Sequence, residues 1–342
     1  MSKAATSAPE ARMAAAAVAH LQVHSHFSLL AATPSVTALA ERAAAEGLAR
    51  LPLTDTNALY GLVAFTQACR ANDVLPIAGM TLAVAADESM PQPDPVVLLA
   101  RDAVGYRSLC RLSSAVQAHP QREQTLQRGL AWSDLAANRA GLLCLCGGRR
   151  SHVERALRLG RTQHAGALLA RYAGLFDENC YVALELHTPA DQQIGSELMA
   201  LALRFGVEAA AVQPVYCLEA SERATLRVLA AIERNCTVDE LAGRDWYGSE
   251  SGVDLHWLGV EEMAERFASF PEALEAADRV LERCAPLELQ KNPVWPVYAL
   301  EEGQTAEEAL AESSRKGALR RYGADGYGSR EAIEQRLARE LE

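Results

Sequence analysis

A chain of 342 residues, 49 % of them apolar, has the material for one large or two modest domains with a packed core. Its net charge of −11, with lysine only at Lys3, Lys291 and Lys316, argues against a concentrated cationic face and against strong duplex DNA binding by this segment alone. Eight scattered cysteines without a CxxC pair read as free thiols in a reducing compartment, not as a disulfide framework. The acidic pairs Glu301-Glu302 and Glu307-Glu308 read as solvated helix faces.

Residues 1–17 are alanine-rich and interrupted by Arg12, so they make neither a signal core nor a membrane span; a disordered lead-in of a cytoplasmic protein is expected. An apolar strand over 18–23 then runs into His24-Ser25-His26-Phe27-Ser28-Leu29-Leu30. In an extended chain His24 and His26 share one face, where two imidazoles can hold one metal or two adjacent ones; a polar strand end is the alternative. Thr33-Pro34 opens a helix carrying Val36, Leu39, Ala40 and Ala43, with Gly47 as its stop. A strand over 49–53 ends in Thr54-Asp55-Thr56-Asn57, a helix spans 60–71, and a strand spans 74–84. Further strands fall at 96–100, 142–146, 181–187 and 207–212. Helices fall at 104–116, 153–159, 164–176, 190–205 and 221–233, with 121–128 as an exposed loop. Seven strands alternating with helices over 18–233 imply parallel pairing and a closed α/β barrel.

From Val260 the character changes to helices at 261–270, at 271–284 with Pro271 at the start, at 305–322 and at 330–341. The expected division is a lead-in over 1–17, a barrel over 18–259 and a helical extension over 260–342 that breaks off inside its last helix, as in a truncated chain. His187 reads either as a residue aimed into the barrel mouth or as a loop-entry histidine bonded to Glu185. Cys144 and Cys146 share one strand face as buried small hydrophobes. Gly147-Gly148-Arg149-Arg150 is a turn with solvated arginines, or an anion site. Trp246-Tyr247 and His256-Trp257 flank an insertion over 243–259 and mark a partner surface or pack that insertion down. No Asp-x-Asp pair is present for polymerase metals, and Asp134 and Asp239 lack strand partners, so the chain alone should not polymerise nucleotides.

Residues 23–30, Leu53-Thr54-Asp55-Thr56-Asn57-Ala58-Leu59-Tyr60-Gly61 and Pro76-Ile77-Ala78-Gly79 resemble the opening of bacterial DNA polymerase III alpha subunits, in their N-terminal polymerase-and-histidinol-phosphatase (PHP) domain. The similarity continues in order through Leu98-Leu99-Ala100-Arg101-Asp102 with Gly105-Tyr106, the strand at 181–185, Leu218-Glu219, Val228-Leu229 and Glu261-Glu262-Met263. Arg320-Arg321-Tyr322-Gly323 is similar to the segment before the polymerase palm. The resemblance implies a distorted seven-stranded (β/α) barrel. In active members the strand ends hold zinc or manganese for phosphoester hydrolysis or proofreading. In others the cluster is lost and the domain is a platform that docks a proofreading exonuclease.

Against the family pattern, this chain has Ala31 in place of an acid, Thr56 in place of a histidine, Thr81 in place of a glutamate and Pro95 in place of a histidine. Pro214-Val215-Tyr216 stands where the pattern has Asp-x-His. The remaining ligand candidates are His24, His26, Asp55 and Cys144. The resemblance with these departures implies a scaffold in DNA replication, beside a polymerase catalytic region in cis or in trans, without a cofactor and away from membranes. The alternative is a residual phosphoesterase or 3'-5' proofreading nuclease with zinc or manganese at a remnant site.

Overall fold

The computed structural model describes residues 18–85, 90, 92–241, 252–289, 295–322 and 330–341. The expected lead-in over 1–17 and Trp246-Tyr247 lie outside them. Two compact units divide after Leu289.

The first unit opens with β1 (Gln22–Val23), α1 (Val36–Ala45), β2 (Arg50–Leu53), α2 (Leu62–Ala71), β3 (Leu75–Val84) and β4 (Asp94–Ala100). Next come α3 (Ala103–Gln117), α4 (Arg122–Arg128), α5 (Trp132–Ala137), β5 (Leu142–Gly147), α6 (His152–Arg158) and α7 (Thr162–Phe176). It closes with β6 (Cys180–Leu184), α8 (Asp191–Arg204), β7 (Glu208–Ala211), β8 (Pro214–Val215), α9 (Arg223–Glu233), α10 (Val260–Arg266) and α11 (Pro271–Glu282). The segment expected as a loop at 121–128 is thus the helix α4. The second unit contains α12 (Ala306–Tyr322) and α13 (Arg330–Leu341), joined by an Arg315–Glu334 ion pair. No helix among the described residues is long and apolar enough to cross a membrane.

Local chemistry sets the element ends. Ser35, not Thr33, caps α1, its Oγ accepting from the Ala38 N–H at 3.1 Å. Asp102 caps α3 by accepting from the Val104 and Gly105 N–H groups, and Pro271 starts α11 as its sequence requires.

The ladders form a six-stranded sheet in the order β2-β3-β4-β5-β6-β7 and a separate parallel pair β1-β8, in place of one seven-stranded ring. One backbone link joins the two, the Thr54 N–H donating to the Val23 carbonyl at 2.8 Å. The expectation of parallel strands throughout is corrected at β4, which runs antiparallel to β3 and β5. The 85–93 connection is too short for the helical crossover that a parallel neighbour needs.

Alternation along the strands builds two apolar layers. Val97, Leu99, Leu143, Leu145, Tyr181, Ala183, Ala210 and Val212 meet Ala276, Ala277, Val280 and Leu281 of α11 on one face. Val96, Leu98, Leu142, Cys144, Cys146, Val182 and Leu184 join the larger core with Leu109, Leu112, Leu169 and Phe176 of the helices on the other. The helix α11 packs on the sheet, inside the compact unit that ends at Leu289.

Candidate functional site

A cavity of about 450 Å³ opens where β1, β5, β6 and β8 end. Residues from β3, β4, β5 and β6 line it together with Gln22 and Tyr216, so the sheet curls around it. The helix α9 contributes Leu226, Ala230 and Glu233, and Arg234 follows at its C-terminal end. Five of the substituted positions read from the sequence, Ala31, Thr56, Thr81, Pro95 and Tyr216, line this one cavity. Pro214 instead pairs with Gln22 in the β1-β8 ladder.

His24 is fully buried behind the cavity wall, its ring stacked on Tyr216 at 4.1 Å and 17°. The single hydroxyl hydrogen of Ser28 goes to Asp55 Oδ1 at 2.7 Å, while Ser28 Oγ accepts from the Thr56 N–H at 3.0 Å. His24 Nδ1, 3.1 Å from the same oxygen, must then be the donor of that contact. Its Nε2 is left as an acceptor, facing the Gln22 amide at 3.2 Å and the Thr81 hydroxyl at 3.5 Å. Burial lowers the His24 pKa to about 3, so the ring is neutral. Burial, partly relieved by Arg150, pushes the Tyr216 phenol well above its ordinary range, so it too is neutral.

Asp55 is a knot in the chain. Its Oδ1 accepts from the Ser25 N–H at 2.7 Å and from Ser28, and its Oδ2 accepts from the Ser25 hydroxyl at 2.8 Å. Burial raises its pKa, and the Ser28 and Ser25 hydrogen bonds oppose the rise. These bonds fold 24–28 into a turn, and β1 stops at Val23. The shared face expected for the two imidazoles is therefore lost: His24 is buried, whereas His26 is exposed, with Nδ1 on the Pro34 carbonyl at 3.2 Å. Cys144 lies in the layer between sheet and helices, on the face opposite Leu145 and the cavity. Burial raises its thiol well above the ordinary value.

These donors do not fit a metal cluster. A catalytic ion needs three or more converging ligands and an open position. Here one imidazole reaches the cavity wall, and both Asp55 oxygens are already bonded to Ser25 and Ser28. Among the described residues no three His, Cys, Asp or Glu side chains are placed to hold a metal ion.

The more strongly charged part of the wall follows β5 and β6. Gly147 and Gly148 both take positive φ, and a Cβ on Gly148 would lie 2.8 Å from Glu185 Oε2. The turn they make brings the Arg149 N–H to Glu185 Oε2 at 2.9 Å and Arg149 Nη1 to Asp191 Oδ1 at 2.8 Å. Arg149 is therefore ion-paired and not solvated, while Arg150 lines the cavity. His187 donates from Nε2 to Glu185 Oε1 at 2.6 Å, because its Nδ1 accepts from the Asp254 N–H. That is the loop-entry role. Trp257 is buried against His20 at 4.1 Å, so this part of the insertion is packed down. Glu154 and Asp191 were not legible as site residues, although an acid two residues beyond the inward-facing Ala183 marks Glu185.

The family model described as the PHP domain matches residues 20–189. A DNA polymerase III subunit alpha from Bacillus subtilis is 27 % identical over 304 residues, covering 89 % of this chain and 26 % of that protein. An error-prone DNA polymerase from Mycobacterium tuberculosis is 33 % identical over 315 residues, covering 90 % of this chain and 28 % of that protein. The chain thus spans about a quarter of the length of these relatives. Among solved structures, an amidohydrolase from Chromobacterium violaceum overlaps 58 % of this chain and 87 % of that one, at 15 % identity and a TM-score of 0.38.

Proposed function

Residues 20–189 belong to the PHP domain family, and from that premise we propose that the chain is the PHP-bearing portion of a DNA polymerase of the III alpha or error-prone type, working as a non-catalytic platform. The observation that carries this reading is the make-up of the cavity. Positions where the family pattern has metal ligands hold Ala31, Thr56, Thr81, Pro95 and Tyr216 around one space. None of these side chains is an effective ligand for a borderline cation at neutral pH. Without a metal-bound hydroxide, phosphoester hydrolysis lacks its nucleophile.

A platform needs a rigid frame in place of a reactive mouth, and the wall is cross-linked by hydrogen bonds where ions would otherwise have tied the strand ends. Asp55 ties the end of β2 to the turn after β1 through Ser25 and Ser28. His24 spans from Ser28 to Gln22 and lies on Tyr216. The partner in this reading is the polymerase catalytic region, in cis or in trans.

The test is elemental analysis of tag-free protein before and after chelation, with melting followed in parallel and with phosphomonoester and 3'-labelled single-stranded DNA as substrates. The expected result is no stoichiometric zinc or manganese, a melting temperature that chelation moves by less than about 1 °C, and no hydrolysis. Near-stoichiometric metal whose removal lowers the melting temperature, with hydrolysis abolished by His24→Ala, overturns the platform reading in favour of a residual phosphoesterase.

A further inference from the structure

Behind the Gly148–Ser151 turn, three buried carboxylates, Glu154, Glu185 and Asp191, meet the guanidiniums of Arg149 and Arg158, which are not shared evenly among them. Asp191 takes the larger share: Arg149 Nη1 at 2.8 Å and Arg158 Nη2 at 2.7 Å on Oδ1, and the His187 N–H, Thr188 N–H and Thr188 hydroxyl on Oδ2. Burial alone would raise its pKa, but the bonds from Arg158, Thr188 and His187 and the charge of Arg149 outweigh it and hold this carboxyl well below the usual range. Glu185 takes the Arg149 N–H and the His187 imidazole N–H.

Glu154, on the first turn of α6, is left with what remains. It is 1 % exposed. Its Oε1 accepts from Arg158 Nε at 2.8 Å and Nη2 at 2.6 Å, a guanidinium already shared with Asp191. Its Oε2 is buried without a hydrogen-bond partner. The groups that act on it are Glu185 beyond β6, Arg149 in the turn after β5 and Arg158 on its own helix, with Asp191 of α8 reached through Arg158. An ionised oxygen buried without a donor costs several kcal/mol more than a neutral one, so a proton is the cheapest partner available.

We propose that Glu154 is a proton-binding site that latches the cavity wall: the wall is closed while this carboxyl is protonated and loosens when the proton leaves. Ionised, Glu154 repels Glu185 and competes with Asp191 for Arg158. Glu185, which accepts from the Arg149 N–H, and Asp191, which accepts from Arg149 Nη1, hold the turn that carries Arg150 and Ser151 into the cavity lining. Ser151 couples the two directly, since its Oγ caps α6 by accepting from the Glu154 N–H at 3.2 Å. Burial first, and the Glu185 charge second, raise the carboxyl to about 7 against the pull of Arg158 and Arg149, which puts the change near neutrality.

The test is a titration of the intact chain from pH 5 to 9, reading the Glu154 side-chain carboxyl carbon by NMR and hydrogen exchange of the 147–159 segment corrected for its intrinsic pH dependence. The expected result is a carboxyl midpoint near 7 and a loss of protection in that segment of about tenfold between pH 6 and 8. In E154Q, which keeps the shape without the charge, protection should stay at the low-pH level throughout. A carboxyl midpoint near the ordinary 4.5 overturns the proposal, and so does the same loosening in E154Q. The carboxyl titration is made on the unaltered chain, so it decides the matter even if the variant folds poorly.

Discussion

Tyr216 lies flat on His24, the two rings 4.1 Å apart at 17°. One ring comes from the end of β8 and the other from the end of β1, so the stack closes the side of the cavity where those strands pair. Its worth lies in apolar area and ring contact, since both rings are neutral. Tyr216→Ala should cost about 3 kcal/mol in denaturant unfolding, by opening a void beside a buried imidazole. Tyr216→Phe keeps the stack and should cost about 1 kcal/mol. Equal losses for the two variants would show that the hydroxyl, and not the ring, holds this wall.

The neutral state of His24 makes stability depend on acid. Burial lowers its pKa from 6.5 to about 3, so the unfolded chain binds this proton more readily than the folded one. The stability is therefore fully present above pH 6.5 and is lost as pH falls from there toward 3, at about 1.4 kcal/mol per pH unit. His24→Asn removes the titration. Wild type should lose about 2.5 kcal/mol more than the variant between pH 7 and 4.5, measured by urea unfolding at each pH. Glu154 works in the opposite sense, because its raised pKa makes stability fall as pH rises from about 4.5 to about 7. A wild-type profile alone blurs the two, and the paired variants separate them.

The sequence carried the site's positions better than its geometry. The substituted positions at 31, 56, 81, 95 and 216 come from five separate stretches of chain, and they converge on one cavity. Motif order encodes topology, and strand ends in a curled sheet meet in space whatever side chains they now carry. What failed was orientation. Period-two reasoning put His26 beside His24, but the strand ends at Val23 because Ser25 and Ser28 turn inward to Asp55. The same rule applied to Leu145, which lines the cavity, would have turned Cys144 away from it. The antiparallel β4 was visible as two strands with no helix between them. The Glu154, Glu185 and Asp191 cluster was not visible, since its members meet only when α6 and α8 pack together behind the turn after β5.

Asp55 should prove structural. Replacing it by alanine strips the acceptor from three buried donors, the Ser25 N–H and the Ser25 and Ser28 hydroxyls. A loss of about 3 kcal/mol is expected, more than any one of these bonds contributes net, because unsatisfied buried donors bear the full desolvation penalty. Asp55→Asn keeps the volume but replaces one acceptor with a donor, and about 2 kcal/mol should go. Isothermal unfolding measures both. A variant as stable as wild type would mean the knot is dispensable and would reopen a ligand role for this carboxylate.

Gly148 and Gly160 allow backbone strain to be told apart from side-chain crowding. Both take positive φ, +79° and +70°, where a Cβ is strained. Nothing lies within 4 Å of the place a Cβ would occupy at Gly160, so Gly160→Ala should cost only the left-handed penalty of about 1 kcal/mol. At Gly148 the same atom would sit 2.8 Å from Glu185 Oε2, the oxygen that accepts the Arg149 N–H. To make room Glu185 must move, which gives up that bond and disturbs its contact with His187. Gly148→Ala should therefore cost about 2 kcal/mol more than Gly160→Ala in chemical denaturation, with increased exchange at the Arg149 amide. Equal costs would mean that Glu185 relaxes freely, and a carboxylate that moves freely could not fix the turn carrying Arg150 into the cavity.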